Sequence, residues 1–245
     1  MRYSHIIVGL SMCIALLSGC SSKKDEQIVP DKPAAELYQE AQKNLMLNDY
    51  RGAESTLEAL DNRYPFGPYA DQTQLKLIYV YYKRSETEKA LANIDRFIRN
   101  NPTSPALAYV YYMRGLTNEA ADYNFSQSLL GIDRATRDPS FITSAFKDFK
   151  VVLQHYPNSD YAADARRRML DLQEKLARHD LAIAEYYLKR EAYIAAVNRA
   201  KQIIENYPNS AEKNNALRVM IRGYRSLGLH DLEQQAQQVL QAQRG

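Results

Sequence analysis

A segment that ends in proline recurs four times and constrains the fold more than any other feature of the chain. The four endings read Arg63-Tyr64-Pro65-Phe66-Gly67, Asn100-Asn101-Pro102-Thr103-Ser104, His155-Tyr156-Pro157-Asn158-Ser159 and Asn206-Tyr207-Pro208-Asn209-Ser210. Twelve residues before the prolines stand Ala53, Ala90, Ala145 and Ala196, and eight before them stand Leu57, Ile94, Phe149 and Ala200. Proline lacks an N–H and restricts its predecessor, so each segment predicts an amphipathic helix that ends there.

This pattern, a small residue followed one turn later by a larger apolar one, resembles that of the second helix in tetratricopeptide repeats. A whole repeat of this kind has a nominal length of about 34 residues. The prolines are 37, 55 and 51 residues apart, so two repeats must carry additional residues. Gly131 and Asp138-Pro139 predict a loop inserted in repeat 3, before a helix capped by Asp138. The stretch from Asp160 to Lys189 lacks Gly and Pro and predicts a lengthened helix in repeat 4. We therefore expect an all-α tetratricopeptide-repeat solenoid of about five helix pairs over residues 34–245.

Two local signals predict where helices begin and end inside the repeats. The run Ser85-Glu86-Thr87-Glu88 has the pattern of a capping box and predicts the start of the second helix of repeat 2. Gly228 predicts a C-cap between the last two helices, because glycine adopts the left-handed conformation that such caps require.

The first 33 residues have the composition of a targeting segment and a tether. An apolar stretch, Ile6 to Leu17, follows Arg2 and is too short to span a bilayer, which is typical of a signal peptide. Leu17-Ser18-Gly19-Cys20 resembles the lipobox of bacterial lipoproteins, which implies cleavage of residues 1–19 and acylation of Cys20. Three acyl chains would hold the chain at a membrane essentially permanently. Residues 20–33 are polar and contain two prolines, so we expect a flexible lipidated tether.

The composition argues against catalysis and against metal, cofactor or nucleic-acid binding. Cys13 lies in the predicted signal peptide and Cys20 takes the lipid, so the mature chain has no free thiol. His155, His179 and His230 form no His-x-x-x-His pair, and no phosphate-binding loop occurs. A formal net charge of +3 does not indicate a nucleic-acid partner. We expect a non-enzymatic protein without a cofactor.

Tyrosine is abundant, with 19 copies and no tryptophan. The tetrapeptide Tyr-Val-Tyr-Tyr occurs at residues 79–82 and 109–112, in both cases on a predicted first helix. In tetratricopeptide solenoids the first helices line the concave face, where Lys83 would also lie. Tyrosine combines a wide apolar ring with a polar tip, which suits an extended peptide, although ordinary inter-helix core is the alternative for each ring. The predicted groove comprises Tyr64, Phe66, Pro68, Tyr69, Tyr79, Tyr82, Tyr109 and Tyr112.

The strings LDNRYPFGPY and YMRGLTN, together with the lipobox and the repeats, resemble the BamD family of the β-barrel assembly machinery of Gram-negative bacteria. This resemblance implies a scaffold anchored by lipid in the outer membrane and facing the periplasm. It implies binding to the periplasmic domains of BamA, to the smaller Bam lipoproteins and to C-terminal segments of unfolded outer-membrane protein precursors.

The same resemblance suggests partner-binding positions. It implies a BamA contact around Arg199, and the insertion offers a second surface with Leu129, Leu130, Arg134 and Arg137. Two other classes of function stay open at this point. One is a free-standing peptide-binding lipoprotein that chaperones periplasmic clients or organises the cell wall. The other is a cell-wall hydrolase, against which the lack of clustered catalytic residue types already counts.

Overall fold

The computed structural model of the chain describes residues 29–127 and 138–242. The chain divides into two compact units, Met1–Lys32 and Pro33–Gly245, and the second contains every helix described below. The described part of this unit is all helical and has no strand. Its ten helices are α1 Ala34–Met46, α2 Tyr50–Arg63, α3 Ala70–Lys83, α4 Thr87–Asn100, α5 Leu107–Gln127, α6 Ser140–His155, α7 Ala162–Lys189, α8 Tyr193–Asn206, α9 Lys213–Ser226 and α10 His230–Ala242.

The helices form five consecutive pairs, α1/α2 to α9/α10. Each helix packs against the next along the chain, and first helices of neighbouring pairs also meet, α3 with α5 and α7 with α9. A helix pair cannot bury its apolar face alone, so stacking of neighbours builds a continuous core. The all-α fold of five helix pairs predicted from the sequence is confirmed.

Four of the turns within pairs share one backbone geometry. Their residues with positive φ are Asn48, Ser85, Glu191 and Gly228, with φ of 56°, 58°, 59° and 71°. In the last turn the N–H of Leu229 donates to the carbonyl of Tyr224, and the N–H of Gly228 donates to that of Arg225. The same two bonds recur in the other three turns and define the Schellman motif. The predicted glycine cap is confirmed.

The predicted capping box at Ser85 is wrong. Ser85 has the left-handed conformation of the preceding turn, so it lies one residue too early to cap α4. Glu86 takes the N-cap position and makes no side-chain cap hydrogen bond. Its carboxylate instead pairs with Arg84 at 2.9 Å and with Lys89 at 3.1 Å.

The turns between pairs share a second geometry, set by the repeated proline. The residue before each proline has φ between −132° and −128° and ψ between 49° and 58°. Proline disfavours the helical conformation at this position, so the helix ends there. The four residues are Tyr64, Asn101, Tyr156 and Tyr207.

The repeated small and large positions form the core. The four alanines and the residues one turn after them are all fully buried. Helices α5 and α6 approach each other closely at Gly115 of α5. An added Cβ there would lie 2.6 Å from Cε1 of Phe149 in α6. Glycine permits this contact because it has no side chain.

The lengthened helix predicted in repeat 4 is confirmed, since α7 runs without interruption for 28 residues. Its Glu174 accepts hydrogen bonds from the Ser210 hydroxyl at 2.9 Å and from the Ala211 N–H at 3.0 Å. The loop was predicted between Ala121 and Pro139, with the insertion at Phe125 to Arg137, but α5 continues to Gln127, so the first part of the predicted loop is helical. Residues 128–137 lie outside the described residues. After them, Asp138 accepts from the N–H of Ser140 at 3.1 Å, and α6 begins at Ser140, one residue later than predicted.

Candidate peptide-binding face

Tyrosines from several helix pairs meet in pairs and small groups along the first helices. We call this surface the tyrosine face and define it by Tyr38, Tyr50, Tyr69, Tyr79, Tyr109, Tyr112 and Tyr161. Tyr79, Tyr109 and Tyr112 lie on first helices as the sequence predicted, and Tyr38 lies on the first helix α1. Tyr69 and Tyr161 each directly precede a first helix, and Tyr50 begins α2.

The first group lies between α1 and α3. The rings of Tyr38 and Tyr69 stack with their centroids 4.6 Å apart. The Tyr38 hydroxyl donates to the Gln72 side-chain oxygen, and the ammonium of Lys76 lies 5.6 Å from the Tyr38 ring centroid. This geometry is a cation–π contact at a partly exposed site.

The second group lies about two turns further along α3. The rings of Tyr50 and Tyr79 meet edge to face at 6.1 Å, and the ammonium of Lys83 lies 5.3 Å from the Tyr50 ring centroid. The hydrogen bond with Tyr50, together with burial, raises the pKa of Tyr79 above its ordinary value. Tyr79 is still about one-third exposed, so the ring is both held in place and accessible.

The third group joins α5 to α7. The Tyr161 ring lies 5.7 Å from that of Tyr109 and stacks on that of Tyr112 at 5.1 Å. Burial raises the pKa of Tyr109, and the nearby hydroxyls of Tyr161 and Tyr79 raise it further. Tyr79 lies close enough to Tyr109 to affect its pKa, so this group adjoins the second one across the α3–α5 contact.

Ion pairs hold the third group together. The Tyr112 hydroxyl donates to Asp164 at 2.6 Å, and Arg168 pairs with Asp164 at 2.5 Å and with Glu119 at 2.8 Å. Burial by itself would raise the pKa of Asp164, but hydrogen bonds from Tyr112, Arg168 and Arg167 lower it to about 2. The carboxylate is therefore ionised at neutral pH and braces α5 against α7.

The two lysines of the tyrosine face differ from these ion pairs. Within the described part of the chain, neither Lys76 nor Lys83 has a carboxylate within salt-bridge distance. Other cations nearby are neutralised: Arg84 pairs with Glu54, and Lys89 pairs with Glu54 and Glu58. The positive charge of the face is therefore left uncompensated beside the aromatic rings.

The turn between α2 and α3 carries the remaining predicted groove residues. Tyr64 is half-buried and Pro68 is exposed, and Phe66 is 98% exposed. The same position in the other three turns is held by Thr103, Asn158 and Asn209. Of these predicted residues, Tyr69 joins the tyrosine face through its contact with Tyr38.

Tyr82, which the sequence predicted for the groove, packs mainly against the hydrophobic core. Tyr82 is half-buried and packs against the core cluster that contains Ile78 and Ile94. Tyr38, Tyr50, Tyr161 and Lys76 belong to the face but were not predicted from the sequence. A signal existed for one of them, since Tyr161 follows Pro157 by four residues just as Tyr69 follows Pro65.

Comparison with known proteins identifies the family. The model of the YfiO family, described as an outer membrane lipoprotein, matches residues 30–240. The chain belongs to this family. This match and the relatives described next confirm the resemblance to the BamD family found in the sequence. The YfiO match covers nine of the ten described helices in full and most of α10.

Curated relatives of this YfiO-family chain are similar over nearly their whole length. The outer membrane protein assembly factor BamD of Vibrio cholerae is 48% identical over 230 residues, which cover 94% of this chain and 95% of the relative. The BamD of Pasteurella multocida is 41% identical over 245 residues, covering 100% and 93%. A tetratricopeptide repeat protein from Parabacteroides merdae is similar in structure at 13% identity and a TM-score of 0.35, covering 86% and 66%.

The predicted partner-binding residue Arg199 lies at the contact of α7 with α8. It is half-buried and pairs with Asp180 at 3.1 Å. Burial raises the pKa of Asp180, whereas the charges of Arg199 and His179 oppose this shift. Leu129, Leu130, Arg134 and Arg137 lie outside the described residues, as does the predicted lipidation site Cys20.

The described part of the YfiO-family chain holds no group of three or more His, Cys, Asp or Glu side chains suited to a metal ion. No helix within residues 29–127 and 138–242 combines the length and apolar character needed to cross a bilayer. The family description agrees with the outer-membrane association expected from the sequence. The lipid anchor and the periplasmic orientation stay predictions.

Proposed function

We propose that this chain is a scaffold of the outer-membrane β-barrel assembly machinery, anchored by lipid at Cys20 and facing the periplasm. In this role it holds extended segments of unfolded outer-membrane proteins on the tyrosine face and docks to BamA through its later helix pairs. The relatives named outer membrane protein assembly factor support the general role. The observation that carries the peptide site is the run of tyrosines in ring contact from α1 to α7, which are half-buried except for the exposed Tyr79.

Tyrosine rings suit this task for a physical reason. A ring provides wide apolar contact with only two rotatable side-chain bonds, and its hydroxyl can bond to a peptide backbone. The ring pairs of the face are already ordered by their mutual contacts, so binding a peptide would require little further loss of side-chain freedom. An extended segment rich in aromatic residues, such as the C-terminal part of a barrel precursor, is the ligand that fits.

For the partner surface we propose the region of Arg199, with Leu129, Leu130, Arg134 and Arg137 of the insertion as a second contact. BamA periplasmic domains are the proposed main partner, and the smaller Bam lipoproteins bind elsewhere on the helix pairs. Detergent extraction followed by affinity capture tests this assignment. Recovery of a large barrel protein is the expected result. A chain captured without it would support a free-standing peptide-binding lipoprotein instead.

The peptide site is tested by removing two rings from α3. Replacing both Tyr79 and Tyr82 by Ala should weaken binding of a labelled C-terminal precursor peptide by about 1 to 3 kcal/mol, measured by fluorescence anisotropy. Tyr79→Ala alone should account for most of this loss, because Tyr82 packs against the core. Tyr186→Ala is the matched control, because Tyr186 is exposed at the far end of α7. Circular dichroism checks that the variants fold. Unchanged affinity in a folded double variant would place the peptide elsewhere.

A further inference from the structure

The proposed peptide site carries two lysines that form no ion pair within the described residues. Lys76 and Lys83 lie on the tyrosine face, and each ammonium is above a tyrosine ring of the first helix pair. A cation–π contact uses the charge of the ammonium but leaves N–H donors free. Each lysine can therefore bind an additional anionic group without breaking an existing ion pair.

The other two cations that lie over tyrosine rings in the described residues, Lys89 and Arg114, are also paired with carboxylates. Arg96 pairs with Asp61 at 2.7 Å, Arg114 with Asp148 at 2.7 Å, and Arg168 with Glu119 at 2.8 Å. These pairs join neighbouring helices and stabilise the stack. Lys76 and Lys83 make no such contact within the described residues, although they lie on a central helix, so their charge is available to a ligand.

The spacing of the two lysines sets the size of that ligand. They are seven residues apart on α3, which places their Cα atoms about 10 Å apart along the helix axis. Two separate carboxylates match this arrangement better than a single one, because each ammonium lies over a different tyrosine ring. An extended peptide advances about 3.3 Å per residue, so carboxylates two to four residues apart span about 7 to 13 Å, and the flexible lysine stems adjust to the difference.

We propose that Lys76 and Lys83 bind two acidic side chains of the peptide held on the tyrosine face. The preferred segment is therefore extended, rich in aromatic residues, and carries Asp or Glu at two positions two to four residues apart. This inference rests on the proposed function, since it requires that peptides bind to this face. It adds a charge requirement that aromatic contact alone would not produce.

The test uses the full chain and peptides that share one aromatic sequence. One peptide carries two glutamates at the stated spacing, a second has glutamine in their place, and both have amidated C-termini. A third has glutamines and a free C-terminal carboxylate. We expect the glutamate peptide to bind about threefold to tenfold more tightly than the glutamine peptide at low salt, and the preference to fade at high salt.

Substitutions in the protein locate the effect. The double variant Lys76→Met, Lys83→Met should bind the two amidated peptides equally, whereas Lys76→Arg, Lys83→Arg should keep the preference. Lys147→Met, Lys150→Met is the matched control, because both lysines are exposed on α6, and it should behave as the unmodified chain. Thermal unfolding checks that each variant is folded.

The outcomes separate the two proposals. If the unmodified chain binds the glutamate and glutamine peptides with equal affinity, the charge inference is overturned and the peptide site stands. If it binds none of the three peptides, the peptide site itself is wrong. A gain confined to the free C-terminal carboxylate would overturn the assignment to acidic side chains. A preference that survives in the double Met variant would overturn the role of Lys76 and Lys83.

Discussion

Phe66 shows how one residue can depart from the repeat that contains it. The three equivalent turns carry Thr or Asn at this position, and the Phe66 side chain is 98% exposed. A large apolar side chain in water contributes nothing to the core, and exposed aromatic groups are favoured where proteins bind partners. The turn also contains Pro65 and Pro68, which limit its conformations, so Phe66 is presented on a stiff segment.

We therefore predict that Phe66→Asn, which restores the residue type of the other turns, leaves the thermal midpoint of unfolding within about 2 °C of that of the unmodified chain. Binding of a C-terminal precursor peptide should weaken about threefold or more, because an exposed aromatic contact is lost. Calorimetry and fluorescence anisotropy measure the two quantities. A large fall in the unfolding midpoint with unchanged binding would show that Phe66 has a structural role instead.

Asp164 makes the stability of the tyrosine face depend on pH. Its pKa of about 2 in the folded chain is lower than the ordinary value of 3.8, so folding favours the ionised carboxylate. The resulting stabilisation is present above about pH 4 and is lost as the pH falls through about 2.

We predict that Asp164→Asn lowers the thermal midpoint at pH 7 and that its difference from the unmodified chain shrinks between about pH 4 and 2. Thermal unfolding followed by circular dichroism over this range measures the effect. Asp171→Asn is the control, since Asp171 is an exposed carboxylate of the same helix. Equal pH dependence of the Asp164 and Asp171 variants would contradict the prediction.

At the scale of helices and turns, the repeated Schellman motif imposes one conformation on four different residues. Gly228 adopts positive φ without strain, whereas Ser85 and Glu191 adopt it in spite of their side chains. The left-handed conformation costs a residue with a Cβ roughly 1 kcal/mol or more. Tertiary packing of the two helices therefore holds these turns against a local preference.

The two kinds of turn residue give opposite predictions. Glu191→Gly should raise the free energy of unfolding by about 0.5 to 1 kcal/mol, because the strain is removed, although a more flexible unfolded chain offsets part of the gain. Gly228→Ala should lower it by about 1 kcal/mol. Urea denaturation measures both changes. A destabilising effect of Glu191→Gly would mean that the Glu191 side chain stabilises the turn by more than the strain destabilises it.

At the scale of the whole molecule, anchoring and docking are separate contributions. The predicted lipid on Cys20 would confine the helix pairs to one membrane surface, and the surfaces of the pairs would select the partners. We predict that Cys20→Ser moves the chain into the soluble periplasmic fraction. Fractionation followed by a high-salt wash measures its distribution. Retention at the membrane after the wash would show that protein contacts alone can hold the chain there.

Most of the fold could be predicted from the sequence because helix pairs depend on contacts between neighbours along the chain. The alanines twelve residues before each proline and the long α7 follow from local patterns of small, apolar and helix-breaking residues. The capping box at Ser85 failed because the same residues also had to form the turn of the preceding helix. Two local signals competed, and packing of α3 against α4 decided between them.

The candidate site was predicted only in part, because some of its contacts join residues that are far apart in the sequence. Tyr79, Tyr109 and Tyr112 could be identified because the tetrapeptide Tyr-Val-Tyr-Tyr occurs on two first helices. Tyr38 lies 31 residues before Tyr69, and Tyr161 lies 49 residues after Tyr112, so no short pattern connects these rings. Their contacts depend on how successive pairs rotate against each other, which is a property of the packed stack.

Sequence patterns alone predicted the helix pairs and their boundaries at proline, and they carry the prediction of a lipid anchor at Cys20. Each of these depends on residue types within about one repeat, where backbone sterics and apolar periodicity act directly. Which tyrosines meet and which cations are neutralised depends on how the helices pack. Lys76 and Lys83 are unpaired because no carboxylate of the neighbouring described helices reaches them, and side-chain contacts between distant residues are set only when the helices pack.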